Sequence, residues 1–154
     1  MTTSRLGRDD LGFLLAKATQ RWNELLAEAF ARAGYADVRP SYGSVLLPLF
    51  EEDGLQMGEL ARRSRLSKQT MTTLVRRVER DGLVSRRVDP ADARATLIFL
   101  TERARRFEPV AARVLRQLNG AVRSQLSPGA VASLEKSLRE LTTLGPPTTR
   151  ITNR

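Results

Sequence analysis

The sequence predicts a mainly α-helical protein that carries one small β-hairpin. Apolar residues recur at intervals of three and four over residues 10–33, 68–80 and 102–124, as expected for helices with one buried face. One stretch, LVSRRVDPADARATLIFLT at residues 83–101, instead has two β-prone apolar runs around an acidic turn that contains proline. Three arginines surround that turn, so we expect an exposed, basic hairpin.

The charge balance favours a polyanionic partner. The 154 residues include 26 Lys and Arg against 17 Asp and Glu, a formal net charge of +9. Such an excess suits nucleic acid first and an anionic membrane surface second. A basic surface without any such partner is the simplest alternative.

Two residue types are absent from the sequence, and their absence limits the kinds of site that the chain can form. The chain has no cysteine and no histidine, which excludes disulfides and removes the commonest metal ligand and the commonest general base. We therefore expect no metal, no cofactor and no enzymatic activity. No apolar run is long enough for a signal peptide or a membrane span, so we expect a cytoplasmic protein without membrane contact.

The N-terminal half predicts one long helix followed by shorter ones. Residues 10–33 form the long helix, with Asp9 or Asp10 as its cap and Gly34 after its end. Ser41 can cap a short helix that runs to the EEDG sequence, and MGELARRSR predicts another.

The C-terminal part predicts two more helices. Thr101 can cap a helix from 102 to about 124, and Ser127 followed by proline can start a last helix that ends at Gly145. Residues 148–154 are expected to be disordered.

Residues 68–80 predict a helix with two contrasting faces. Its apolar side holds Met71, Leu74, Val75 and Val78, whereas its outer side has no carboxylate. A packed helix with a polar exterior is one interpretation. The other is the second helix of a helix-turn-helix, whose N-terminal end enters the major groove of DNA. On that interpretation the DNA-binding residues of this helix are Ser67, Lys68, Gln69, Thr70, Thr73, Arg76 and Arg77.

The hairpin directly follows this helix, which is the order of a winged helix. Residues 55–100 hold ten basic and five acidic side chains, a local balance of +5. We expect Arg86, Arg87 and Arg94 to contact DNA, with Arg94 in the minor groove. DPADAR predicts a tip longer than two residues, in which the acidic residues hold the loop. The alternative is an exposed hairpin with incidental surface ion pairs.

The stretch GELARRSRLSKQTMTTLVRRVERDGLVSRRVDPADARATLIFLT resembles the MarR family of bacterial transcriptional regulators. VERDGLV followed by DPADAR and LT carries the most specific part of this resemblance. It implies a winged-helix homodimer, with Arg94 as the wing arginine and Asp92 as its support. The resemblance also implies one domain over residues 1–154. Within it, residues 9–34 and 102–145 are expected to form dimerisation helices, and residues 41–100 a winged-helix DNA-binding lobe. Many relatives have glycine where Arg65 stands, so the joint can differ in shape.

The terminal helices themselves also predict a dimer. Apolar stripes along residues 107–122 and 131–141 exceed what one winged-helix unit can cover, although packing on residues 11–33 can bury part of them. The resemblance further implies a small, often aromatic effector bound between the two regions. Trp22, Phe30 and Tyr42 could line such a pocket, or could simply be core residues.

The sequence therefore predicts a regulator that binds double-stranded DNA. We expect a homodimeric repressor on a palindromic operator, released by a small-molecule effector. The alternatives are a non-specific basic nucleic-acid-binding protein and a winged-helix dimerisation module that does not read DNA.

Overall fold

The computed structural model describes residues 7–146, which contain six helices and a three-stranded sheet. The predicted fold class, mainly helical with a small antiparallel wing, is confirmed. The chain forms two compact units that divide after Leu115. The elements are α1 (Leu11–Arg32), a 3-10 turn (Pro40–Tyr42), α2 (Gly43–Glu51), β1 (Leu55–Gln56), α3 (Met57–Arg63), α4 (Lys68–Arg80), β2 (Val84–Asp89), β3 (Asp92–Leu100), α5 (Glu102–Gln125) and α6 (Pro128–Leu141).

The sheet has one strand more than the predicted hairpin. Its order is β1-β3-β2, and β1 pairs antiparallel with β3 through Leu55 opposite Ile98. β1 has only two residues, too few to show any alternation of apolar and polar side chains. The extra strand ties the wing to the start of α3.

The turn of the hairpin is shorter than predicted. Asp89 pairs with Asp92, so only Pro90 and Ala91 lie between the strands. The register shifts between Val88 and Asp89, and the Asp89 carboxylate accepts the backbone N–H of Ala91 at 2.8 Å. The expectation of a longer tip was wrong because this irregularity and the aspartate-closed turn replace the glycine that a tight hairpin usually needs.

Helix ends agree with the predicted caps at four places. The side chains of Asp10, Ser67, Thr101 and Ser127 each accept a backbone N–H from the first turn of the following helix. Ser41 does not cap α2, because the chain enters that helix through the 3-10 turn.

The C-terminal boundary also differs from the expected one. The last helix ends at Leu141 and not at Gly145, since Thr142 adopts the C-cap position ahead of the glycine. The tail at 148–154 lies outside the described residues.

The joint between α3 and α4 contains a residue in left-handed backbone geometry. Arg65 has a φ of +52°, at the joint position where the family resemblance leads one to expect glycine. A side chain with a Cβ pays about 1–2 kcal/mol for this conformation. The joint therefore keeps its left-handed turn without the residue that favours it.

The buried face of α4 anchors the core of the first unit. Met71, Val75 and Val78 are fully buried, as the apolar stripe of the helix predicted. Other fully buried or nearly fully buried core residues of this unit are Val45, Leu49, Leu60, Leu83 and Ile98. None of the helices in residues 7–146 combines the length and apolar character needed to cross a bilayer.

Candidate nucleic-acid interface

The outer face of α4 is exposed, and four of its long polar side chains have no partner among the described residues. Within the described residues, the side chains of Lys68, Gln69, Arg76 and Arg77 make no hydrogen bond or ion pair, and all four are exposed. Thr73 is also exposed on this helix. Because the apolar side of α4 is buried, the opposite face, which carries these hydrogen-bond donors, points toward solvent. Such donors can reach both base edges and phosphates.

The start of α4 orders two hydroxyl groups. The Oγ of Ser67 accepts the backbone N–H of Thr70 at 3.1 Å and donates to Oγ1 of Thr70 at 2.8 Å. The Thr70 hydroxyl keeps its own proton for an outside acceptor. Together with the unpaired amides of the first turn, it makes this helix end suitable for a phosphate. Thr72 instead turns back to the carbonyl of Lys68, at 2.8 Å.

The three wing arginines have different surroundings. Arg86 forms an ion pair with Glu79 of α4, with 2.8 Å between Nε and Oε2. The guanidinium of Arg87 lies 4.6 Å from the ring centroid of Phe99. Arg94 is exposed on β3, and its side chain makes no ion pair with any described residue. Arg94 is thus the freest cation of the wing.

Two aspartates hold the tip of the wing through backbone amides. Asp92 accepts the N–H of Arg94 at 3.0 Å, so it fixes the backbone there and does not pair with the guanidinium. Asp89 is buried, and besides the turn amide of Ala91 it accepts the side-chain amide of Gln56 at 2.7 Å. These hydrogen bonds, that of Ala91 first, lower the pKa of Asp89. The carboxylates therefore stiffen the wing.

The basic residues of α3 are neutralised within the chain. Glu59 accepts hydrogen bonds from Arg62 at 2.7 and 2.9 Å and from Arg63 at 2.8 Å, and Arg63 also pairs with Glu52. The two guanidinium groups, that of Arg62 first, lower the pKa of Glu59 to about 2. Spacings of three and four residues on one helix would have indicated these pairs from the sequence.

The C-terminal end of α4 is held by two residues from distant parts of the chain. The hydroxyl of Tyr42 donates to the carboxylate of Asp81, the C-cap residue of α4. Arg103 of α5 donates to the backbone carbonyl of Asp81 and, at 2.7 Å, to the carboxylate of Asp37. Both ends of α4 are therefore fixed, one by Ser67 and one by this network.

A cavity of about 280 Å³ lies beside this network in the first unit. The three residues predicted for an effector pocket, Trp22, Phe30 and Tyr42, all line it. Phe30 also packs edge-on against Phe107, with 4.9 Å between ring centroids. Arg39 belongs to the same wall and makes no ion pair with any described carboxylate. The walls are otherwise mainly apolar.

The residues predicted to contact DNA lie on two neighbouring elements, α4 and the wing, but two of the contacts that support these elements were not predicted. α4 and the wing meet at the pair between Glu79 and Arg86. Neither the contact of Gln56 with Asp89 nor that of Tyr42 with Asp81 was predicted, because these partners stand 33 and 39 positions apart in the chain.

Curated relatives match only the central part of the chain. The chain is 44% identical over 61 residues to the HTH-type transcriptional regulator TtmR of Methylorubrum extorquens, covering 40% of this chain and 31% of TtmR. It is 36% identical over 76 residues to the transcriptional activatory protein BadR of Rhodopseudomonas palustris, covering 49% and 43%. The chain thus spans less than half the length of both relatives.

Solved structures match nearly the whole fold. A MarR family regulator from Rhodococcus sp. RHA1 is 26% identical, with a TM-score of 0.72 over 91% of this chain and 97% of that one. PcaV of Streptomyces coelicolor, in complex with its natural ligand, is 21% identical, with a TM-score of 0.77 over 91% and 97%. MepR of S. aureus, in complex with DNA, is 20% identical, with a TM-score of 0.74 over 86% and 96%.

The helix-joint-helix unit and the three-stranded wing define a winged helix-turn-helix protein. The MarR family model matches residues 40–96, which include α2, α3, α4 and most of the wing. The central part of the chain thus matches the MarR family of winged-helix transcriptional regulators, and nearly the whole fold is similar to that of the MarR family regulator from Rhodococcus. This family match agrees with the expectation that the chain is not an enzyme.

Proposed function

We propose that this protein is a sequence-specific regulator that binds double-stranded DNA as a homodimer. The observation that carries the proposal is the unpartnered outer face of α4, where Lys68, Gln69, Arg76 and Arg77 are exposed beside an ordered phosphate-binding end. The family relationship supports this role, as does the DNA complex of the structural neighbour MepR. The protein would act in the cytoplasm, where bacterial operators lie.

The residues of α4 and those of the wing contact different parts of the DNA. Gln69, Thr73 and Arg76 reach base edges in the major groove, while Ser67, Lys68, Thr70 and Arg77 contact phosphates at its edges. Arg94 enters the adjacent minor groove, because it extends from the wing without an internal partner. Arg86 and Arg87 approach the backbone from β2.

A homodimer on a palindromic operator follows from the exposed apolar residues of the terminal helices. Leu11 and Leu14 of α1 are 63% and 49% exposed, and Leu134 and Leu138 of α6 are each 42% exposed. Single exposed leucines are common, but leucines one helical turn apart on both terminal helices favour burial in a second copy. Two-fold symmetry then places two copies of α4 about one DNA turn apart.

A small aromatic molecule with a negative charge is the effector that suits the cavity. A cavity of about 150 Å³ suffices for benzene, so 280 Å³ accommodates one substituted ring. Arg39 supplies the cation, and the aromatic side chains supply the walls. Binding would shift the population of DNA-competent conformations and so release the operator, which makes repression the expected mode.

Selection of bound genomic fragments by the purified protein, followed by sequencing, tests the DNA-reading function. We expect enrichment of a palindromic sequence with half-sites about ten base pairs apart. Enrichment without any consensus would favour a non-specific basic nucleic-acid-binding protein. Failure to retain DNA would favour a winged-helix dimerisation module.

A further inference from the structure

The side chain of Tyr42 contacts both the cavity and the C-terminal end of α4. Its ring lines the cavity and is only 1% exposed, while its hydroxyl donates to Asp81 at the end of α4. Its backbone lies in the 3-10 turn, where its N–H donates to the carbonyl of Arg39 at 2.9 Å. One side chain therefore touches both the cavity and the helix proposed to read DNA.

Asp81 is the residue through which contacts from outside α4 stabilise the C-terminal end of that helix. Its N–H donates to the carbonyl of Arg77 and so closes the last turn of the helix. Its carboxylate is only 20% exposed and has one other side-chain partner among the described residues, the Nε of Arg80 at 3.4 Å. Loss of the Tyr42 hydroxyl would leave this part-buried charge with a single long contact, an arrangement that costs free energy.

The ionisation behaviour of the two groups agrees with a strong contact. Burial, followed by the hydrogen bond to Asp81, raises the pKa of Tyr42. The hydrogen bond from Tyr42 is the main reason that the pKa of Asp81 is lowered.

We propose that Tyr42 couples the cavity to α4, so that the hydrogen bond from its hydroxyl to Asp81 transmits changes between the two. This inference rests on the proposed DNA-reading role of α4. A molecule that enters the cavity displaces the Tyr42 ring, and a hydrogen bond weakens steeply as its distance and angle change. The C-terminal end of α4 then loses one of its two distant anchors, while the Ser67 cap persists. By linkage, DNA binding at α4 must alter the cavity in return.

The single tryptophan makes this reciprocal effect measurable. Trp22 lines the same cavity as Tyr42, so its fluorescence reports on the cavity while labelled operator reports on DNA binding by anisotropy. We expect saturating operator to change Trp22 emission in the unmodified protein. This change is lost in Tyr42→Phe, which keeps the ring and removes only the hydroxyl, and it is reduced in Asp81→Asn, which removes the charge and keeps an acceptor.

Tyr35→Phe is the matched control. Tyr35 packs on Phe107 with 4.9 Å between ring centroids, and its hydroxyl makes no hydrogen bond within the described residues. The control should keep the full emission change. An equal change in Tyr42→Phe, or no change in the unmodified protein bound to operator, would overturn the coupling alone. Failure of the unmodified protein to bind any operator would overturn the proposed function and the coupling with it.

Discussion

Arg94 is the residue of the wing whose removal should weaken DNA binding most. Its guanidinium is exposed and free of ion pairs with the described residues, so nothing inside the chain competes with a minor groove. Arg94→Ala should weaken operator binding by about 1–3 kcal/mol, as measured by anisotropy of labelled DNA. Arg86→Ala is the control, with a smaller expected loss because Glu79 already holds Arg86. Equal affinity of Arg94→Ala and the unmodified protein would exclude the wing contact.

The backbone conformation of Arg65 should lower the stability of the folded protein. Its φ of +52° is unfavourable for any residue with a Cβ but acceptable for glycine. Arg65→Gly and Arg65→Ala both remove the side chain, so their difference reports the backbone alone. The glycine variant should be more stable by roughly 1 kcal/mol in urea unfolding. A more stable alanine variant would mean that the joint relaxes out of left-handed geometry.

The tip of the wing is held by hydrogen bonds to one buried side chain, so its residues should respond together when that side chain is removed. Asp89 binds the turn amide of Ala91 and the side chain of Gln56, so its loss should loosen the segment that carries Arg94. Asp89→Ala should weaken operator binding in the presence of Arg94 and have little further effect in an Arg94→Ala background. A double-mutant cycle measures this coupling. Additive effects of the two substitutions would show that Asp89 acts independently of Arg94.

The elements differ in how far the sequence predicts them. α4 was predicted over residues 68–80 because its apolar period, the Ser67 cap and the Asp81-Gly82 stop all agree. The turn of the wing was mispredicted because it depends on a bulge and on the Asp89 side chain, neither of which alters the apolar pattern. The three predicted pocket aromatics do line one cavity, but packing and not local spacing brought Tyr42 to Asp81.

The whole molecule should be stable over neutral pH and lose stability in acid. Five carboxyl groups have lowered pKa values, so the unfolded chain binds more protons than the folded one as pH falls. Their stabilising contribution is complete above their ordinary pKa values and is lost progressively below about pH 4.5. The groups are Glu24, Asp37, Glu59, Asp81 and Asp89.

Urea unfolding across pH measures this dependence. We expect little change between about pH 6 and 9, because the chain has no histidine to titrate there. Glu59→Gln should flatten the acid limb, since the pKa of Glu59 falls to about 2 in the folded protein. An unchanged acid limb in this variant would mean that folding does not lower the pKa of Glu59.

Assembly is the other property of the whole molecule. We expect light scattering coupled to gel filtration to show a dimer, because Leu134 and Leu138 of α6 remain 42% exposed in the single chain. Leu134→Glu combined with Leu138→Glu should shift the protein toward monomer and weaken operator binding. Ser137→Glu, on the same exposed helix, is the control for added charge. A DNA-binding monomer of full affinity would contradict the homodimer.

The pairing of basic residues within the chain determines how many counterions DNA binding releases. Of the ten basic side chains in residues 55–100, only Lys68, Arg76, Arg77 and Arg94 lack any partner among the described residues. Each phosphate contact contributes a slope of about −0.9 to the logarithm of affinity against the logarithm of salt concentration. If each of these four cations displaced one counterion from the DNA, the slope would be roughly −7 for a dimer. The formal charge alone would suggest a much steeper dependence, so the protein is built to be less sensitive to ionic strength than its composition implies.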